Sequence, residues 1–586
     1  LPTVSDNFSK VWATHTIKTG FYWEQTGNNQ PSSNQANGEM VMTSWGGGSS
    51  GNAYADTILG RVSQYSESNK DTILALAFHS VQFYVQDSWK VNRRLTLDFG
   101  LRFDHLGAWF DQKGTGLAVW VPSKYDPSAP PASLTGIEWN KIDPSIPISG
   151  TPSRALFYDP RFGMAFDIFG TGKTVIRGGW GMYHFHDEQN VQSGALGITQ
   201  GAYTYCACNG IQINQIGNTV PASAPPGSIT TLQMGDTKQP LTKTYSFTIS
   251  QRAPWKSLFE VSYVGNSSTD QNNWNTSFFN INLIPFGAEF ANGHWTQAGD
   301  SADYYPYKSY QALNVAQHSL YQNYNGLQAS WNKQSGRLNF LMNYTFSKNL
   351  GIREWSNEAS NLNVADNYGP LSFDHTHIFN VAWVYQAPDF YKGNPILKGI
   401  VNGWQISGIT QVQSGADLQA IVNANMNFGG YLLPGTVLPN GTTVTSAIGM
   451  NAENTLGTNA VQLEPVLTCN PNANLAPNQR VNGACFAQPS LGQNGSYEWP
   501  YIKGPAFWNA DASLFKNFQI SESKKVQLRF SGYNFLNHPL PSFLNSGDPN
   551  LNLTFNQQGK LNNPGFGYVD EKLGHRIIQL AIKFYF

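Results

Sequence analysis

Two histidine clusters are the first residues in the chain whose types and spacing suggest chemistry. His184-Phe185-His186-Asp187-Glu188 and Asp374-His375-Thr376-His377 each place histidines at i and i+2 beside carboxylates. On a strand those positions share a face, so each pair has the geometry to chelate a metal. Both clusters sit at the ends of strand-like runs, where His and Asp are ordinary interfacial residues, and no third motif supplies matching ligands. No metal site is expected. Gly170-Thr171-Gly172-Lys173-Thr174 has the tail of a phosphate-binding loop, but Asp167 stands where that motif needs its first glycine. A strand rather than a helix follows it, so a hairpin turn is expected there. There is no G-x-S-x-G elbow in a strand-to-helix context, and the chain holds only 37 acidic residues, which leaves few paired carboxylates. Nothing positive points to an enzyme, and no cofactor is expected.

Four cysteines remain. Cys469 and Cys485 flank an Asn/Pro/Ala-rich segment and would close a loop of ordinary size, which makes them the candidate disulfide. Cys206 and Cys208 are one residue apart, so they bond only with strain or stay reduced. Neither pair has zinc-finger spacing.

The elements that must position these residues are strands. Leu95, Leu97, Phe99, Leu101 and Phe103 alternate with Thr96, Asp98, Gly100, Arg102 and Asp104. Successive side chains of a strand point to opposite faces, so this run has one apolar and one polar face. The same pattern recurs at Phe162–Ile168, Thr174–His184, Tyr245–Ile249, Phe259–Tyr263, Leu338–Phe346, Phe379–Tyr385 and Val526–Phe530. About 14 strands of near ten residues result, enough to cross a tilted membrane wall. Short and long connections alternate, the long ones lying near 25–72, 105–156, 187–241, 266–320, 349–373, 414–505 and 536–573. The expected fold is all-β: a transmembrane antiparallel β-barrel with short periplasmic turns and long extracellular loops, occupying 1–586. A soluble sandwich places its loops less regularly.

Composition agrees. Of 586 residues only 12% are charged while 13% are aromatic, against about 25% charged in ordinary soluble domains. Mean hydropathy is −0.35, and no run of about 18 apolar residues encodes a membrane helix. The formal net charge of −1 gives no field for nucleic acid. The long connections are rich in Asn, Gly, Ser, Trp and Tyr. Trp45, Tyr304, Tyr305 and Tyr307 are the ligand-binding candidates, because Tyr and Trp join apolar area to a polar tip. The competing reading has such aromatics packed among themselves. Low loop charge argues against a strongly anionic iron–siderophore and leaves glycans, peptides or secreted proteins as ligands.

The final strand sets Ile578, Leu580, Ile582, Phe584 and Phe586 on one apolar side. It resembles the closing strand of bacterial outer-membrane barrels, and the resemblance implies that the barrel assembly machinery reads these five residues. Further segments resemble the barrel of TonB-dependent outer-membrane transporters, particularly the Oar-like branch. They are Phe83-Tyr84-Val85-Gln86-Asp87-Ser88-Trp89-Lys90, Asp159-Pro160-Arg161-Phe162-Gly163, Tyr324-Asn325-Gly326-Leu327-Gln328, Tyr344-Thr345-Phe346-Ser347-Lys348 and Phe530-Ser531-Gly532-Tyr533-Asn534-Phe535-Leu536-Asn537-His538. Asn7-Phe8-Ser9-Lys10 to Phe21-Tyr22-Trp23 reads as one earlier strand of the same family. The resemblance implies outer-membrane location, contact with membrane lipid, capture of a ligand by the loops, passage energised by the TonB complex, and a barrel of about 22 strands around a plug. No plug, TonB box or signal peptide is recognisable here, so the expectation is that those parts, and the partner of the closing strand, lie upstream of Leu1. A plug-free channel and a surface adhesin are the rival readings.

Overall fold

The computed structural model describes residues 2–586 except 32–36, 45–48, 131–132, 203, 208–210, 219–227, 275, 292–303, 353–360, 419–421, 423–425, 430, 433, 439–440, 442, 446, 496–501 and 544–548. A 17-stranded sheet dominates, and two of its members, Phe110–Asp111 and Tyr368–Pro370, are short additions at one rim. The remaining fifteen form an antiparallel meander. In chain order they are β1 Thr3–Trp12, β2 His15–Pro31, β3 Ile73–Lys90, β4 Leu95–Leu106, β5 Phe157–Asp167, β6 Thr174–His184, β7 Leu241–Ala253 and β8 Ser257–Asn272. They continue as β9 His318–Lys333, β10 Leu338–Ile352, β11 His377–Gln386, β12 Trp404–Gln413, β13 Phe507–Gln519, β14 Lys525–Tyr533 and β15 Ile577–Tyr585.

One expectation is corrected. Asn7-Phe8-Ser9-Lys10 and Phe21-Tyr22-Trp23 are not one strand but two: β1 and β2 form a hairpin, with Trp12 opposite His15 and Phe8 opposite Thr19. The turn is only Ala13-Thr14, and Ala13 takes a positive φ of 51° without help from glycine or proline. That hides it in the sequence and raises the strand count to fifteen.

The ladders keep one face apolar from strand to strand. Phe83 lies opposite Phe103, Phe99 opposite Phe162, and Leu528 opposite Ile582. Phe83, Phe99, Phe247, Phe259, Leu327, Phe346 and Phe530 are 39–50% exposed on that face. A contiguous exposed apolar surface of this extent needs lipid rather than water around it. The other face is polar and internally bonded. Arg102 bridges to Asp104 at 2.7 Å and to Gln82, Arg177 reaches Glu260 at 3.2 Å, and Arg529 donates to Gln527 at 2.6 Å.

The two rims differ. One carries short turns at 13–14, 91–94, 168–173, 254–256, 334–337 and 520–524, together with one longer link at 387–403. Gly170-Thr171-Gly172-Lys173 is such a turn: Gly170 and Gly172 have positive φ and the Asp167 carboxylate accepts from the Gly172 amide at 2.7 Å. The other rim carries the connections 32–72, 107–156, 185–240, 273–317, 353–376, 414–506 and 534–576. Among the described residues β1 pairs only with β2 and β15 only with β14. The ladder is therefore open between its first and last strands.

Candidate functional site

The long connections fold into structure of their own over one rim. The first module is built on a four-stranded sheet of Ile137–Glu138, Val119–Trp120, Ser228–Gln233 and Ala312–Ala316. Its alternating apolar residues bury a core that includes Leu117, Trp120, Leu196, Ile229 and Leu313. Strand β3 extends into it, contributing Leu76 and Phe78, which fixes the module to the wall. The second module lies within 414–506 and 534–576, around Val422, Phe486, Ile502, Leu553 and Phe566. The two are joined through 456–460: Gly287 donates to the Leu456 carbonyl at 3.1 Å, and the Ile284 amide to Asn459 Oδ1 at 3.1 Å.

Cys469 and Cys485 form a disulfide with a Cα–Cα distance of 4.9 Å, and Cys485 is buried beside the second core. The bond closes a 16-residue separation, which by chain entropy stabilises the module by about 3 kcal/mol. Reduction, or Cys469→Ala with Cys485→Ala, is expected to raise protease cleavage within 414–506 while leaving the wall strands protected. Limited proteolysis of folded protein checks this. Cys206 lies on the short strand Thr204–Ala207, and Cys208 falls outside the described residues.

The histidine clusters disperse. His184 pairs with Asp159 at 2.6 Å. His186 packs on Phe78 with ring centroids 3.9 Å apart, and burial lowers its pKa to about 4. Asp187 instead reaches His318 of β9, accepting from Nε2 at 2.6 Å, while Asp236 accepts from Nδ1 at 2.8 Å. His375 bonds the Ser414 carbonyl at 2.8 Å and His377 the Tyr344 hydroxyl at 2.8 Å. Among the described residues no group of three or more His, Cys, Asp or Glu side chains is arranged to hold a metal ion.

The Asp187–His318–Asp236 clamp has no local signal, since its partners lie 131 and 82 positions from His318. It ties both ends of 185–240 to the start of β9, beyond the apolar band. Burial opposes the charge on His318, but the two carboxylates outweigh it and push its pKa up to about 9.

Of the aromatic candidates, Tyr307 packs edge-on against Trp120 at 5.0 Å and Tyr125 at 5.2 Å. Its amide donates to Asn282 Oδ1 at 2.9 Å. Tyr304 and Tyr305 are half-buried next to it, and Trp45 lies outside the described residues. Tyr310 joins the cluster and donates to the Thr135 carbonyl at 2.6 Å; burial and then Tyr125 raise its pKa. The rings of Trp120 and Tyr310 are buried in the module's core, and Tyr125 and Tyr307 pack against it. The final strand places Ile578, Leu580, Ile582 and Phe584 on the apolar face with Gly532, Phe530, Leu528 and Val526 opposite. Phe586 follows the strand end, 92% exposed.

Solved structures with similar architecture include the outer membrane transporter YddB from Escherichia coli (10% identity, TM-score 0.44). The siderophore receptor PirA from Acinetobacter baumannii (11%, 0.42) and the ferric-catecholate import receptor Fiu from Escherichia coli K12 (11%, 0.39) are also similar. Each comparison covers 100% of this chain and 54% of the other, so the chain spans about half the length of these proteins. A comparison with curated protein sequences returned no match. The profile of the family described as outer membrane beta barrel domain matches residues 2–579. With a two-faced wall of fifteen strands and a match over nearly its whole length, the chain belongs to the outer membrane beta-barrel domain family and resides in the outer membrane.

Proposed function

We propose that the chain forms most of the wall and the outer cap of a TonB-dependent, Oar-like outer-membrane transporter. The carrying observation is the combination of a polar wall face with two folded loop modules, the second holding a disulfide, on one rim only. The cap captures a neutral ligand, a glycan, peptide or secreted protein, through aromatic side chains that include Trp45, Tyr304, Tyr305 and Tyr307. The ligand then passes along the polar face when the TonB complex moves a plug. The long-loop rim faces outward and the short-turn rim faces the periplasm, as in outer-membrane barrels generally. The assembly machinery recognises Ile578, Leu580, Ile582, Phe584 and Phe586.

The open ladder belongs to the same proposal. An unpaired strand edge in hydrocarbon leaves every second backbone group unsatisfied, at several kcal/mol each. Fifteen is odd, so β1 and β15 run in the same direction, and direct closure would create one parallel pair in an antiparallel wall. An odd number of further strands, contributed from outside 1–586, closes the barrel antiparallel throughout.

Cells expressing the complete gene, given fluorescent oligosaccharides and peptides with and without a proton-motive-force uncoupler, test the reading. Surface capture that persists with the uncoupler while internalisation stops is the expected result. Internalisation that ignores the uncoupler would establish a passive channel, and capture without any internalisation would establish an adhesin.

A further inference from the structure

One short-rim connection breaks the rule of tight turns. The link 387–403 between β11 and β12 is 17 residues long and contains the helix Pro395–Val401. The helix starts with proline at its first position, and the Asn394 side chain caps it, accepting from the Ile396 amide at 2.8 Å. The link is closed on itself by Asn402, which donates to the Tyr391 carbonyl at 2.7 Å and accepts from the Tyr391 amide at 3.0 Å.

Its docking on the wall fixes which side it occupies. Trp404 stands on the apolar face of β12, directly opposite Lys516 of β13, so both side chains point out of the barrel. The Trp404 indole donates to the Ile400 carbonyl at 3.0 Å. Lys516 donates to the same carbonyl at 3.0 Å and also to that of Asn402. Its ammonium lies over the Trp404 ring at 5.0 Å and the Phe518 ring at 5.1 Å. A lysine on the lipid-facing side is thus only 5% exposed, because the carboxyl end of the helix folds back over it and its carbonyls accept hydrogen bonds from the ammonium. The link is held against the outer surface of the wall, at the short-turn rim.

Pinned there, the helix still leaves its apolar stripe uncovered. Ile396 is 73% exposed, Ile400 57%, Leu397 49% and Val401 37%, with Phe390 of the same link at 69%. Residues four apart lie on one helix face, so Ile396 and Ile400 are neighbours, as are Leu397 and Val401. Exposed Lys392 and Lys398 flank the stripe, against a single acid in the link, Asp389.

We propose that this helix is an interfacial anchor seated in the phospholipid leaflet at the short-turn rim, with Phe390, Ile396, Leu397, Ile400 and Val401 among acyl chains and Lys392 and Lys398 at the phosphates. The apolar stripe is continuous with the lipid-facing band through Trp404 and Ile406 of β12. The two lysines match anionic headgroups, and short amphipathic segments of this make-up settle about 5–10 Å into the headgroup boundary. A water-exposed stripe awaiting a periplasmic protein is the competing occupant.

The test uses the complete protein in vesicles of phosphatidylethanolamine and phosphatidylglycerol. Ile400→Cys and, separately, Lys398→Cys carry a polarity-sensitive fluorophore, at positions exposed enough to leave the fold intact. Quenching by shallow doxyl-labelled lipid at Ile400 at least twofold stronger than at Lys398, with weaker quenching by aqueous iodide, is expected. Equal lipid quenching at the two positions, or iodide quenching Ile400 as strongly as Lys398, overturns the proposal. Either outcome is independent of whether the barrel transports anything.

Discussion

Replacing His318 with glutamine is expected to loosen the first loop module while leaving the wall intact. The side chains of Asp187, Asp236 and His318 are each about nine-tenths buried, and removing the cation leaves two carboxylates facing one another without it. Breaking a buried pair this way costs about 3–5 kcal/mol. The same group sets a pH dependence. His318 has a folded pKa of about 9, above its ordinary 6.5. Its stabilisation is complete below about 6.5 and disappears as pH rises through about 9, a span of roughly 3 kcal/mol. Asp236, held below the usual carboxylate range by His318 despite its burial, adds stability that is lost only in acid. Hydrogen exchange over 187–240 and 312–318 checks both statements. Protection should fall between pH 7 and 9.5 in the natural protein and be low throughout in His318→Gln. The triple replacement Asp187→Asn, Asp236→Asn, His318→Gln should recover much of it at neutral pH, since no charge is then stranded. Unchanged exchange in the single variant would remove the clamp from the description of the cap.

The second large effect separates the two faces of the wall. Phe530 and Ser531 are adjacent on β14, and their side chains point to opposite faces, Phe530 with Leu514 and Leu580, Ser531 with Ser513 and Gln579. Phe530→Arg places a cation in hydrocarbon, at about 2–4 kcal/mol near the midplane, and should lower folded, heat-modifiable protein in the outer membrane severalfold. Ser531→Arg puts the same charge on the hydrated face beside Ser513 and Gln579 and should be tolerated nearly as well as the natural residue. Equal loss in both variants would contradict the two-faced wall.

The wall was legible because its signal is local. A period of two over ten residues, as in Leu95–Asp104, reads the same in sequence and structure, and loop composition changes sharply at positions such as Phe157 and Leu241. Two kinds of feature escaped: a hairpin with no turn residue in its turn, and contacts set by partners far away in the chain. The β1–β2 hairpin escaped because Ala13-Thr14 carries no turn residue. His318 showed nothing until Asp187 and Asp236 met it, and the clusters around His184 and His375 looked like ligand sets only while their true partners, Asp159 and the Ser414 carbonyl, were unknown. Alternation alone puts Lys516 on the apolar face, where a charge has no evident partner. Only the folded-back link explains it. Aromatic loop residues such as Tyr307 carry the same composition whether they pack inward or face a ligand, so the sequence cannot separate the two roles.

The open ladder offers the most direct test. Strands separated by one other strand lie about 10 Å apart, whereas a disulfide needs Cα atoms within about 7 Å. In the protein expressed from its complete gene, Ser9→Cys on β1 is paired in turn with Gln579→Cys, Ala581→Cys and Lys583→Cys on β15, all on the polar face, and oxidised in outer membranes. Ser531→Cys with Gln579→Cys, which oppose each other across β14 and β15, serves as the control that must cross-link. A wall completed by additional strands predicts the control cross-link and none from Ser9. A cross-link from Ser9 to any of the three β15 positions would show that the fifteen strands close on themselves.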